Sequence, residues 1–198
     1  MVRDRGAVVG VLLAAGAGSR MGRPKALVYD DRGSWLIKAC VTLRNGGCDD
    51  IVVVIGAAAP EARVLLGKLP VDIVEASDWS EGMGASLRAG LGRAADGDAD
   101  AALVHLVDLP DVGADVVRRV AALAAVDALA RATYADRPGH PVLIGREHWA
   151  DVIRDVAGDH GARDYLDRHE AVEVDCSDLA SGRDVDLPPD GTGPMLGR

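Results

Sequence analysis

The chain has 198 residues, a formal net charge of −9, 48% apolar residues, 3% aromatics and no Phe. Such an acidic balance argues against nucleic acid and anionic membrane surfaces as partners, since both are held through a basic face that displaces counterions. A core without Phe must be built from Val, Leu, Ile and Ala, and a polyanionic substrate must meet a local basic site.

The N-terminal stretch has basic Arg3 and Arg5 before an apolar run, as a secretory signal does. Gly16 and Arg20 make the run too short and too broken for a membrane span, and Arg20 and Lys25 have a better explanation below. Val8 to Ala14 is a continuous apolar run with β-branched members, the pattern of a strand buried on both faces. Ser34 to Asn45 reads as a helix with Ser34 as N-cap and Gly46-Gly47 after its end. Ile51 to Ile55 is a second buried strand. The alternation continues with a helix over Pro60 to Leu69, a strand over Val71 to Glu75, a helix over Met83 to Arg93, a strand over Ala101 to Val107 and a helix over Ala114 to Ala125. Strands predicted at Ala132 to Ala135, Pro141 to Ile144 and Val172 to Asp175 surround helices near Arg146 to Val156 and Ala162 to His169, and these later strands are expected to pair antiparallel at one edge.

Alternation of this kind predicts an α/β fold, a doubly wound, mostly parallel sheet with helices on both faces. No repeat or linker divides the chain, so residues 1–190 read as one domain and 191–198 as a poorly ordered Gly/Pro-rich tail. Cys40, Cys48 and Cys176 form no CxxC pair and no metal-ligand spacing with His. They read as buried thiols of a reducing, cytoplasmic compartment.

The informative segment is Leu12-Leu13-Ala14-Ala15-Gly16-Ala17-Gly18-Ser19-Arg20-Met21-Gly22-Arg23-Pro24-Lys25. It leaves a strand end, where ligands of open α/β sheets bind. Its glycines let the backbone approach a phosphate and present N–H groups to it, while Arg20 and Lys25 supply charge. A dinucleotide fingerprint fits poorly: the spacing is Gly16-x-Gly18-x-x-x-Gly22, and the second strand ends Val54-Ile55-Gly56 without an acid. A Walker loop fails because no Gly-Lys-Ser/Thr follows. Triphosphate binding is the reading that uses both cations.

Asp108 follows the buried strand Ala101 to Val107, so its carboxylate is expected at the sheet's C-terminal edge. There it can hold Mg²⁺ bridging the nucleotide, with Asp186 as the best second ligand. Gly82 and Ser86 stand at the opening of the Met83 helix, where backbone N–H groups and a hydroxyl can meet base or ribose.

These segments resemble the MobA-like nucleotidyltransferases, and among them the molybdenum cofactor cytidylyltransferases. Leu13 to Lys25 matches L-A-A-G-x-S/G-x-R-M-G-x-x-K, and Trp79 to Gly90 matches W-x-x-G-M-x-x-S-L-x-x-G. Val107-Asp108-Leu109-Pro110, Gly139-His140-Pro141-Val142, Gly158 to Arg163 and Asp184 to Asp190 are similar to further family segments.

The resemblance implies that Leu13, Ala14, Ala15, Gly16, Gly18, Ser19, Arg20, Lys25, Gly82, Ser86 and Asp108 bind nucleotide. Arg20, Lys25 and Asp108 would carry catalysis, Asp108 and Asp186 the metal, and His140 and Pro141 the acceptor side. It implies transfer of CMP from CTP to the terminal phosphate of molybdopterin or molybdenum cofactor, with pyrophosphate released and a molybdoenzyme or insertion chaperone as recipient. Ala14-Ala15-Gly16 and Pro24 resemble the cytidylyl branch, with GTP as the alternative. One departure is Ala76, where the family often has Asn. Rival expectations are a sugar-phosphate or other acceptor, and a non-catalytic carrier of cofactor or nucleotide.

Overall fold

The computed structural model describes residues 6–19, 21–158 and 161–185. Its centre is β1 (Val8–Ala14), buried at all seven positions. Side chains alternate between faces, so Val8 and Leu12 enter one apolar core while Val9, Val11 and Leu13 enter the other. A run apolar at every position satisfies both faces at once.

A short hairpin follows, β2 (Tyr29–Asp30) and β3 (Gly33–Ser34), and then α1 (Trp35–Asn45). Ser34 caps α1 as expected, its hydroxyl accepting from Ile37 N at 3.4 Å. Next come β4 (Asp50–Ile55), α2 (Ala59–Leu66), β5 (Asp72–Glu75), α3 (Met83–Ala94), β6 (Ala101–Leu106) and α4 (Ala114–Ala121). The chain continues through β7 (Leu129–Tyr134), β8 (Arg137–Gly145), α5 (Arg146–Asp155), α6 (Arg163–Arg168) and β9 (Val172–Asp175).

The seven-stranded sheet has the order β5-β4-β1-β6-β8-β7-β9. β4 and β6 flank β1, both parallel to it. The chain thus winds outward from β1 to β5, returns through α3, and starts outward on the opposite side at β6. The crevice at that reversal, beyond the C-terminal ends of β1 and β6, is where an open α/β sheet presents its ligands. Residues of α1, α2 and α4 cover one face of the sheet and residues of α3, α5 and α6 the other.

Several expectations change. The antiparallel strand is β8, which lies inside the sheet between β6 and β7 and runs antiparallel to both, while the edge strand β9 is parallel to β7. β7 and β8 are also longer than the sequence indicates, because Ala135 and Asp136 take positive φ values of 49° and 60° and join them in a tight hairpin. Such turns are usually signalled by Asn-Gly or Asp-Gly, and Ala-Asp carries no such mark. α2 stops at Leu66, with Gly67 at its C-cap, short of the Leu69 expected from apolar periodicity. The tail at 191–198 lies outside the described residues.

Helix α3 approaches β1 and β4 closely at Gly90. A Cβ there would stand 2.5 Å from Val11 Cγ1 and 2.9 Å from Val54 Cγ2. Gly90→Ala gains about 1 kcal/mol of helix propensity but faces an overpacking cost of about 1–3 kcal/mol. The clash is expected to win, lowering the thermal midpoint by roughly 2–8 °C at an unchanged denaturant slope. A midpoint equal to or above wild type would show that α3 can lift off the sheet.

Candidate active site

The loop after β1 and the residue after β6 meet because their strands are neighbours. Lys25 opens a 3-10 turn, Lys25–Leu27, and its Nζ donates to Asp108 Oδ2 at 2.6 Å across 83 residues of sequence. Both side chains are largely buried, with exposures of 17% and 15%. A charge-assisted hydrogen bond at this depth is screened less than a surface pair. Gly18 makes the loop's turn: its φ is +61°, and a Cβ there would lie 2.0 Å from the Arg23 carbonyl oxygen. No L side chain fits that position.

A crevice of about 530 Å³ opens between this loop and the start of α3. Of the residues expected to hold nucleotide, Leu13, Ala14, Ala15, Gly16, Gly18, Ser19, Lys25, Gly82, Ser86 and Asp108 all line it. Gly82 is the N-cap of α3, and Ser86 is buried one turn further along. Arg20 and Asp186, expected as phosphate and metal residues, lie outside the described residues. The backbone N–H of Val185 donates to the Asp108 carbonyl at 3.1 Å, which returns the C-terminal segment to the site as far as that residue.

Trp79, Ser80 and Met83 also line the crevice. Their turn is held by Arg88 of α3, which donates to Asp78 Oδ2 at 2.9 Å, Glu81 Oε2 at 3.2 Å and the Val156 carbonyl at 3.0 Å. Ala76, the departure from the family pattern, is buried and offers no side-chain hydrogen bond.

A second cavity of about 300 Å³ shares Leu13 and Met83 with the crevice and is walled mainly by Leu87, Val104, Val142, Ile144 and Leu166. His140 lines it, so the acceptor side expected from the Gly139-His140 segment adjoins the nucleotide side. Tyr134 steadies His140, donating from its hydroxyl to the His140 carbonyl at 2.7 Å. Pro141, joined to His140 by a cis bond, is buried and is not among the cavity's lining residues. Arg131 and Arg163 line this cavity too. Arg163 stands in the Gly158 to Arg163 segment, but nothing in the sequence indicated that it and Arg131 would converge on one cavity.

The two histidines near the site are neutral. Burial pushes His140 down to about 4, with Asp108 opposing the shift and Arg163 adding to it. His105 on β6 is 1% exposed and is pushed down to about 3, mainly by burial and secondarily by His140. Its Nδ1 has no hydrogen-bond partner among the described residues. Among those residues no group of three His, Cys, Asp or Glu could hold a metal ion. Asp186, the expected second ligand, lies outside the residues searched.

A mostly parallel seven-stranded sheet, with a glycine-rich loop and a Lys–Asp pair at its switch point, defines an α/β nucleotidyltransferase. The chain belongs to the family of the MobA-like NTP transferase domain, whose model matches residues 10–173. It is 39% identical over 194 residues to nicotine blue oxidoreductase of Paenarthrobacter nicotinovorans, covering 92% of this chain and 94% of that one. It is 34% identical over 150 residues to molybdenum cofactor guanylyltransferase of Rhodobacter capsulatus, covering 76% and 70%. Among solved structures it resembles Rv0371c of Mycobacterium tuberculosis H37Rv, with a TM-score of 0.77, 28% identity and coverage of 92% and 94%. The manganese complex of that protein aligns with a TM-score of 0.72, 26% identity and coverage of 92% and 91%. No helix among the described residues is long and apolar enough to cross a membrane.

The neutral histidines set a pH dependence of stability. Both have folded values below the usual 6.5, so the unfolded chain takes up protons that the native protein refuses. Their contribution is complete above pH 6.5 and is lost as pH falls from there toward 4. The urea midpoint is expected to drop between pH 7 and pH 4.5, and His140→Gln to flatten that dependence by about one proton. Equal slopes for wild type and variant would mean that His140 titrates normally in the folded state.

Proposed function

We propose that the protein transfers CMP from CTP to the phosphate of a molybdopterin-type acceptor, with Mg²⁺ and release of pyrophosphate. The observation that carries this reading is the Lys25–Asp108 pair, set in the glycine-lined crevice where it opens toward the apolar cavity. Attack of an anionic phosphate oxygen on the α-phosphorus is opposed by mutual repulsion, so positioning and charge neutralisation supply most of the catalysis. The loop backbone from Gly16 to Ser19 presents N–H groups to the phosphates, and Lys25 neutralises negative charge on them and on the departing pyrophosphate. Asp108 would hold Mg²⁺ against the nucleotide, which polarises the α-phosphate and lowers the charge barrier. Gly82 and Ser86 would meet the nucleoside. Arg20 and Asp186, in the matching positions of the family pattern, are assigned to the phosphates and the metal.

The metal assignment is supported by the acidic oxygen of Asp108 beside a phosphate-sized cradle and by the manganese complex of the 26% identical relative. CTP is preferred from Ala14-Ala15-Gly16 and Pro24. The Rhodobacter capsulatus relative, named for guanylyl transfer, makes GTP the first competitor. The buried Lys25–Asp108 pair favours catalysis over a carrier role, since a carrier needs no charge at the reacting phosphorus. A cytoplasmic site of action accords with the three buried cysteines.

A second reading, oxidoreduction, is favoured by the 39% identity to nicotine blue oxidoreductase and by the apolar cavity, which suits a flat oxidised acceptor. In it the glycine loop would hold the pyrophosphate of a reduced nicotinamide dinucleotide, which gives up hydride while a proton comes from solvent. The absence of an acid after Ile55 to take the ribose hydroxyls weighs against it.

Pyrophosphate release from CTP, GTP, ATP and UTP with Mg²⁺, with and without molybdopterin, separates these outcomes. Acceptor-dependent release with CTP is the expected result, and preference for GTP would reassign the base. Oxidation of reduced nicotinamide dinucleotide without pyrophosphate release would replace the reaction altogether. Asp108→Asn is expected to lower turnover by about a hundredfold or more while leaving the fold intact. A fully active Asn variant would remove Asp108 from the mechanism.

A further inference from the structure

The apolar cavity beside the nucleotide crevice holds few charged groups, and they are not equivalent. Arg131 is bound to Asp167 at 2.5 Å and to Glu173 at 2.9 Å, so its positive charge is already balanced. Its Nε–H is nonetheless buried without an acceptor among the described residues, a donor that a ligand or a trapped water would satisfy. Arg163 makes no hydrogen bond or ion pair with any described residue, although it belongs to a chain with 31 acidic residues. It stands at the exposed start of α6 while lining the same cavity.

We propose that Arg163 receives an anionic oxygen of the acceptor and thereby selects, for this cavity, a flat heterocycle carrying one negatively charged substituent. The proposal rests on the preceding reading of the cavity as the acceptor site. The walls formed by Leu87, Val104, Val142, Ile144 and Leu166 suit a planar, weakly polar ring system. A volume of about 300 Å³ admits a bicyclic or tricyclic heterocycle. The cavity's remaining charge is then that of Arg163, since Arg131 is neutralised by its carboxylates.

Its position also suits the chemistry. His140 and Arg163 line the same cavity, which shares Leu13 and Met83 with the crevice that Asp108 lines. Because His140 is neutral there, the anion-attracting charge on the acceptor side comes from Arg163. A guanidinium at this place would hold the acceptor's phosphate by paired N–H donors and offset its repulsion from the nucleotide. Arg163 is thus a specificity-determining residue that the Lys25–Asp108 machinery does not include.

The test uses the full chain and two fluorescent probes, pterin-6-carboxylate and uncharged 6-hydroxymethylpterin, titrated at low ionic strength. CTP binding by equilibrium dialysis serves as a check on the neighbouring crevice. Wild type is expected to bind the carboxylate roughly two- to fivefold more tightly, the range of a partly exposed ion pair. Arg163→Gln should bind both probes equally, Arg163→Lys should keep part of the preference, and CTP binding should not change. Arg154→Gln, on the outer surface of α5, should behave as wild type.

Retention of the preference in Arg163→Gln would overturn the assignment, as would a wild type that binds the two probes equally or binds neither. Pyrophosphate release is scored separately. Charge discrimination without nucleotidyl transfer would refute the reaction and leave Arg163 in place, while transfer without discrimination would do the reverse. With a turning-over acceptor, Arg163→Gln is expected to raise the acceptor KM and leave the KM for nucleotide unchanged.

Discussion

The parallel pairing of β1 with β6 is the constraint on which the site depends. It sets Leu13 beside Leu106, and so brings the loop that follows one strand and the carboxylate that follows the other to the same edge. Lys25 and Asp108 then close an ion pair between segments 83 residues apart. Local structure alone does not bring them together, because Asp108 follows the end of β6 whereas Lys25 stands in a 3-10 turn eleven residues beyond β1. The sheet supplies the rigidity, with β4 and β6 paired to β1 and an apolar core packed on each face.

An acidic protein that handles polyanions must concentrate its positive charge and keep its acids out of reach. Many of the arginines here are spent on surface carboxylates, including Arg63, Arg93, Arg119 and Arg168. Pairs of that kind contribute little to stability but leave no long-range positive field. At the crevice the balance differs: Lys25 is largely buried against Asp108, and the neighbouring histidines are neutral. Charge at the site is therefore local and set by a few groups.

The adjoining cavity follows from the part of the fold that departs most from simple winding. β8 enters the sheet antiparallel between β6 and β7, so His140 arrives beside the end of β6 instead of at a remote edge. α6 then closes over the same space from the helical layer. A strictly parallel continuation would have carried β8 in the opposite sense and removed His140 from the neighbourhood of Asp108. This chain thus joins a glycine-lined crevice of general α/β design to a pocket built by one reversed strand.

Much of this was legible in the sequence because it depends on local chemistry. The unbroken apolar run of β1, the Ser34 cap, the glycine-and-cation loop and the acid after β6 each state their structure through spacing and residue type alone. The long β7–β8 hairpin was not legible, because Ala135 and Asp136 turn without the glycine that usually announces such a turn. Nor was the interior place of β8, since an apolar strand has the same pattern whichever direction its neighbours run. The meeting of Arg131, His140 and Arg163 around one cavity could be decided only by tertiary structure. Periodicity fixes which face of an element is buried, whereas the order and direction of strands fix which buried or rim positions face one another.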